Sequence, residues 1–140
     1  MDSLHMVGHL IRRLHQQSTQ VFTQRTQAAG FDLTSVQFAA LDAIHAHPGT
    51  DQASVAEMIA YDRATIGGVM DRLEQKGWIR RVVSERDRRA RELSLTPAGK
   101  RIHTALLPIV QGLQDDILHP LSPADRGRFL KLARRVVQPG

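Results

Sequence analysis

The stretch DRATIGGVMDRLEQKGWIRRVVSERDRRARELSLTPAG, residues 62–99, changes its periodicity twice, and those changes decide the fold. Its first part puts Ile66, Val69, Met70 and Leu73 on one stripe at helical spacing, with Asp62 as the expected N-cap and Gly77 as the C-terminal stop. From Trp78 to Val83 the texture becomes that of a short strand, rich in Trp, Ile and Val. Arg91 to Leu95 puts Leu93 and Leu95 on one face and reads as a second strand. The residues between them, 84–90, are polar and mostly basic, which predicts a hairpin with a charged tip. Thr96 followed by Pro97 is a helix start, because proline at the first helical position gives up an N–H that has no partner anyway.

Upstream, Thr34 and Gln37 have the spacing of a capping box, and the helix they open presents Phe38, Leu41 and Ile44 to a core. His47-Pro48-Gly49 ends it, Thr50 or Asp51 caps a short third helix with Val55, Ala56 and Ile59 inward, and Ala60-Tyr61 makes a brief turn. Before them a first helix is expected from Ser3 to Ala29, with Met6, Val7, Leu10, Ile11, Leu14, Val21 and Phe22 at helical spacing and Gly30 as its stop. That is long for a globular helix, and the length makes sense if part of its stripe packs on another subunit. Downstream, a fifth helix carries Ile102, Leu106, Ile109, Val110, Leu113 and Ile117, stops before Pro120, and is interrupted by Pro108, which should kink it or free a carbonyl. Ser122-Pro123, with Asp125 at N3, opens a sixth whose apolar side is Phe129, Leu130, Leu132, Ala133, Val136 and Val137. The expected fold is therefore mainly α with a small β-hairpin wing. Two short helices joined by a tight turn and followed by a basic hairpin spell a winged helix-turn-helix within one domain over residues 1–140.

Composition sets the function classes. The chain has 140 residues, 41% apolar and 24% charged, an ordinary balance for an ordered domain. No apolar run approaches the roughly 20 residues that span a bilayer, and the first 30 lack the pattern of a secretory signal, so a cytoplasmic protein with no membrane partner is expected. With no cysteine there is no disulfide scaffold, thiolate zinc site or cysteine nucleophile. The net charge is +5, and residues 72–101 hold ten Lys or Arg against four Asp or Glu, leaving the rest of the chain near neutral. A basic segment on a neutral body suits a polyanion, with a merely solvated basic face as the alternative. Gly-rich phosphate loops, H-E-x-x-H and G-x-S-x-G are all missing, so no enzyme is expected and no cofactor. His45 and His47 diverge at i and i+2 on a helix and read as surface rather than as metal ligands.

On the fourth helix, with Ile66 inward, Ala64, Gly68, Asp71 and Gln75 point outward, flanked by Thr65, Gly67 and Arg72. Two glycines inside a helix cost about 1 kcal/mol each relative to alanine. Close approach of the backbone to double-stranded DNA would justify them, and so would tight packing inside the protein. The outward Asp71 can accept from a cytosine amino group or pair with Arg72 or Gln75.

The segment ASVAEMIAYDRATIGGVMDRLEQKG, residues 53–77, followed by WIRRVVSERDRRARELSLTPAGK, resembles the MarR family of transcriptional regulators. Asp87-Arg88-Arg89 and the run from Leu93 to Gly99 match the family's D-R-R…L-x-L-T-x-x-G wing pattern, and the flanking long helices extend the resemblance over essentially the whole chain. The resemblance implies a homodimer, with a winged lobe at 33–99 and dimerisation helices at 1–32 and 100–140, that represses from a palindromic operator. It places Arg63, Ala64, Thr65, Gly67, Gly68 and Arg72 on the recognition helix, Gln52 and Ser54 near phosphates, and Arg86 and Arg88 at a wing tip inserted in the minor groove, where narrow A-tract grooves attract arginine. Asp87 and Arg89 match the pair that holds the wing to the body, with Arg89 also counted among the DNA-facing cations.

The family also implies a small aromatic acid, bound between the dimer helices and the winged lobe. The side chains that suit a carboxylate beside an apolar cleft are His9, Arg13, His15 and Gln17 on the first helix, with Phe38 as a wall. Gly8-His9-Leu10-Ile11-Arg12-Arg13-Leu14 resembles members that govern aromatic-acid catabolism, which points to a hydroxybenzoate- or nicotinate-like effector. Two other readings stay open: a winged-helix module that docks an acidic protein, and a DNA binder without an effector.

Overall fold

The computed structural model describes residues 2–86 and 91–138. A 3₁₀ turn at Ser3–His5 precedes α1 (Val7–Ala28), α2 (Ser35–Ala46), α3 (Gln52–Met58) and α4 (Ile66–Gln75); β1 (Ile79–Val83) and β2 (Arg91–Leu95) follow, then α5 (Pro97–Ile117) and α6 (Pro123–Val137). Six helices and one antiparallel hairpin are the expected architecture.

The caps explain most of the boundaries. Thr34 and Gln37 exchange side-chain and backbone hydrogen bonds, both 3.1 Å, so the capping box forms. Asp51 rather than Thr50 caps α3, its Oδ1 accepting from the Ser54 N–H at 2.7 Å. Thr96 Oγ1 accepts from the Gly99 N–H at 3.0 Å and donates to the Gly77 carbonyl at 2.6 Å, so one hydroxyl starts α5 and ties down the end of α4. Gly77 itself has φ +76°, a left-handed backbone that suits glycine. A Cβ on Gly99 would overlap the Trp78 carbonyl, so this glycine is required by packing.

Two expected starts shift. The helix expected from Ser3 begins at Val7, because the Asp2 side chain caps a separate 3₁₀ turn and Met6 is extended. The helix expected from Asp62 begins at Ile66: the Asp62 carboxylate accepts from the Ala64 N–H at 3.3 Å and from Thr65 Oγ1 at 3.2 Å, which organises a turn at 63–65 instead of a first helical turn. Pro108 sits inside α5, which runs through it from Pro97 to Ile117.

The core lies where α2, α3, α4 and the hairpin meet α5. Leu41 and Ile44, Val55, Ile66, Met70 and Leu73, Leu93, and Leu106 are fully buried there. The hairpin pairs Ile79 with Leu95 through Val83 with Arg91, and the free edge of β2 is closed where the Leu93 N–H donates to Thr50 and its carbonyl accepts from Gly49. Buried His103 on α5 bonds Asp42 of α2 through Nε2 at 2.8 Å, with its ring between Phe38 and His45. By contrast α6 buries no residue, and α1 buries only Phe22 and Thr26.

Candidate nucleic-acid interface

Helix α3, the turn at 59–65 and α4 form the helix-turn-helix, and the hairpin follows directly from it. The sequence brings α4 to the surface on one side only: Ile66, Met70 and Leu73 are buried, while Gly68, Asp71, Arg72 and Gln75 are exposed. Gln52, the first residue of α3, and Gly67 are half-buried and adjacent, since a Cβ on Gly67 would stand 3.6 Å from Gln52 Nε2. Ser54 is half-buried at the α3 start. Arg63 and Ala64 are exposed in the turn, and exposed Thr65 occupies the N-cap position of α4 without a side-chain cap bond. All of them lie on α3, on α4 or in the turn between, and Arg63, Ala64 and Thr65 precede α4 rather than belong to it.

The glycine pair can be judged on geometry. A Cβ on Gly68 would meet nothing within 4 Å among the described residues, and one on Gly67 would make only an ordinary contact with Gln52. Packing inside the chain does not require either glycine. Their effect is to leave the backbone of the first turn of α4 bare on its open side, where N–H groups and the positive end of the helix favour an anion.

Charges around this face are partly committed. The Asp51 carboxyl is held below the ordinary aspartate range by the Ser54 N–H and hydroxyl, with Arg63 adding attraction, against an opposing burial effect. Arg81 on β1 donates to both Glu74 and Asp71, and these carboxylates push its pKa up. The Asp71 partner is therefore Arg81, neither Arg72 nor Gln75. Lys76 donates to the Asp32 carbonyl at 2.6 Å and lies 4.7 Å over the Trp78 ring, so its charge is spent holding α4 to the α1–α2 connection. Two of the ten basic residues in the charged segment are thus structural. Sequence reading missed both roles; for Arg81 the available cue was its alternation with buried Ile79 on a two-residue period, which turns it inward.

At the wing, the Arg86 N–H donates to Ser84 Oγ at 3.2 Å and the Arg86 side chain is exposed. Arg88 and Arg89, with Asp87, lie outside the described residues.

The five effector candidates do not converge within one chain. His9 is half-buried, Arg13 is exposed, and neither side chain makes a hydrogen bond or ion pair among the described residues. His15 lines a groove along α1 with Thr19 and Thr23. The Gln17 amide donates to the Ile117 carbonyl at 2.7 Å, tying α1 to the end of α5. Phe38 packs against Phe22 and His103 and reaches a separate cleft of about 500 Å³ beside Asp42, His47 and Met58. Among the described residues, no three His, Asp or Glu side chains converge to hold a metal ion, and no helix is long and apolar enough to cross a membrane.

The chain is similar to known proteins along its whole length. The MarR family model matches residues 33–90. The transcriptional repressor NicR of Pseudomonas putida is 32% identical over 97% of this chain and 85% of its own length. Among solved structures, BpsR of Bordetella bronchiseptica, whose DNA binding is regulated by 6-hydroxynicotinic acid, superposes with a TM-score of 0.88 at 27% identity, covering 100% of this chain and 99% of its own. The repressor CouR bound to a 23-mer DNA duplex gives 0.85 at 26% identity, over 99% and 97%. With its helix-turn-helix, its wing and this similarity along the whole chain, the protein belongs to the MarR family of DNA-binding transcriptional regulators and is not an enzyme.

Proposed function

We propose that the chain is a cytoplasmic homodimeric repressor whose two winged lobes read the halves of a palindromic operator, and that a small aromatic acid releases it. The observation that carries the DNA half is the bare first turn of α4, where Gly67 and Gly68 leave the backbone open with no demand from internal packing. In this reading residues 33–99 are the reading lobe, and 1–32 with 100–140 are the dimerisation helices. The turn and helix residues Arg63, Ala64, Thr65, Gly67, Gly68 and Arg72 face the major groove. Gln52 and Ser54 meet phosphates, and Arg86, Arg88 and Arg89 serve the minor groove.

Support for the dimer comes from the uncovered apolar side chains of α1 and α6, which include Val7, Ile11, Leu132 and Val136. The effector half is supported by the likeness to BpsR and by the cationic and amide groups along α1. His9, Arg13, His15, Gln17 and Phe38 form one site only if a second chain brings its α1 against this one. The acid acts by binding best to the conformation whose half-site spacing does not fit the DNA, because a ligand shifts an equilibrium only through differential affinity.

The test is selection of duplexes from a random pool, followed by titration of the selected duplex with nicotinate- and hydroxybenzoate-like acids. A two-fold symmetric consensus, released by one of these acids, is the expected result. Binding that no acid relieves would remove the effector, and selection of no sequence would favour a protein-docking module. Arg13→Ala should abolish release while leaving affinity without the acid unchanged, and undiminished release would take Arg13 out of the site.

A further inference from the structure

Strand β1 alternates, so Arg81 shares a face with the buried Ile79, while Arg80 and Val82 on the other face are exposed. An apolar side chain would complete that inner face. Instead the Arg81 guanidinium reaches across to α4, its Nη2 lying 2.5 Å from Asp71 Oδ1 and 3.1 Å from Glu74 Oε1, and its Nε 3.3 Å from Glu74 Oε2. The cation is well covered, with its side chain 17% exposed, and the two acids are much more open at 60% and 48%. Asp71 follows Gly68 by three residues and precedes Arg72, so it belongs to the open side of α4. Unneutralised carboxylates there would repel a phosphate backbone.

We propose that Arg81 is a positioning residue for DNA recognition: without touching DNA, it neutralises Asp71 and Glu74 and draws them off the path of the phosphates. This rests on the reading of α4 as the groove-entering helix. A simple staple between strand and helix would differ in one respect. Losing a staple matters whatever the charge of the acids, whereas losing a screen matters only while they are charged.

The experiment uses the full-length protein and the duplex that the wild type selects from a random pool, with affinities measured over a range of salt. Arg81→Ala should bind about tenfold more weakly. Adding Asp71→Asn and Glu74→Gln to that variant should restore affinity to within about threefold of wild type, because the charges being screened are gone. Asp71→Asn with Glu74→Gln alone should bind more tightly, with a salt slope steeper by about one unit as Arg81 becomes free to act as a counterion. Unchanged affinity of Arg81→Ala overturns the proposal, and so does a folded Arg81→Ala that the neutral background fails to rescue. If Arg81→Ala does not fold, the double amide variant decides, and equal or weaker binding by it overturns the proposal. A wild type that selects no duplex removes the reading of α4, and the role of Arg81 falls with it.

Discussion

The winged lobe and the terminal helices are built to opposite standards. In the lobe the large apolar residues expected to face inward are covered, from Leu41 and Ile44 on α2 to Leu93 on β2, and each of α2, α3 and α5 starts on a side-chain cap. On α6 the cap is equally good, with Ser122 accepting from the Asp125 N–H, yet no residue is buried and Val136 is 77% exposed. The first half of α1 is similar, with Val7 at 72% and Ile11 at 58%. Good local signals therefore form a helix in both places, but only in the lobe does the chain itself supply what the apolar face packs on. A stripe this regular and this uncovered is what an intertwined second chain would bury.

The largest expected effect breaks that difference directly. Leu132→Glu with Val136→Glu puts two carboxylates on the exposed apolar side of α6. The product should be a monomer by light scattering with the lobe still folded. Its affinity for the duplex that the wild type selects should fall by about 10²–10⁴, the advantage of making a second half-site contact intramolecular. A variant that stays dimeric, or a monomer that keeps full affinity, would sever the link between the terminal helices and DNA binding.

The same division governs what could be read from sequence. The capping box at Thr34 and Gln37, the strand texture after Trp78 and the proline after Thr96 act over a few residues, so pattern alone locates α2, the hairpin and the start of α5. The start of α4 is not legible from residue type, because Asp62 is a good cap by type and only the geometry shows its carboxylate spent on the turn at 63–65. Met6 likewise carries no mark of the extended backbone that separates Ser3–His5 from α1. The candidate interface was legible on α4, because one buried stripe defines its opposite face. The two structural cations were not: Arg81 meets its acids across ten and seven residues, and Lys76 meets Asp32 across 44. Four of the five effector candidates share α1 by periodicity, with Phe38 on α2, but periodicity cannot say which of them is engaged elsewhere, as Gln17 is with Ile117.

A smaller effect sharpens the contrast within the lobe itself. Gly68→Ala adds a methyl group that meets nothing in the chain and removes a helix-weakening residue. Unfolding stability should rise by up to about 1 kcal/mol. If the bare backbone is pressed against DNA, affinity should fall at the same time, so the two readouts move in opposite directions. Thermal unfolding and a binding titration on one preparation test this. A stabilised variant with unchanged affinity would show that the open side of α4 does not approach the duplex.

The smallest effect concerns the cap of α3. The Asp51 carboxyl titrates below the ordinary range because the Ser54 N–H and hydroxyl hold its charged form, with Arg63 assisting. A folded-state pKa below the unfolded one means that the contribution is fully present above about pH 4, the unfolded aspartate value. It is lost as pH falls through the folded value, when the protonated group binds its partners less well. Asp51→Asn keeps an oxygen able to cap α3 but does not titrate. The stability difference between wild type and this variant should therefore be constant from pH 7 to about 5 and shift against the wild type below about pH 4. Because Asp51 and all its partners lie in the lobe, the same shift should appear in the Leu132→Glu, Val136→Glu background. Curves that stay parallel down to pH 3 would mean that the cap makes no net use of its charge. A shift confined to the unmodified terminal helices would mean that the lobe is less self-sufficient than its packing implies, since a local cap has no other reason to sense whether α6 is covered.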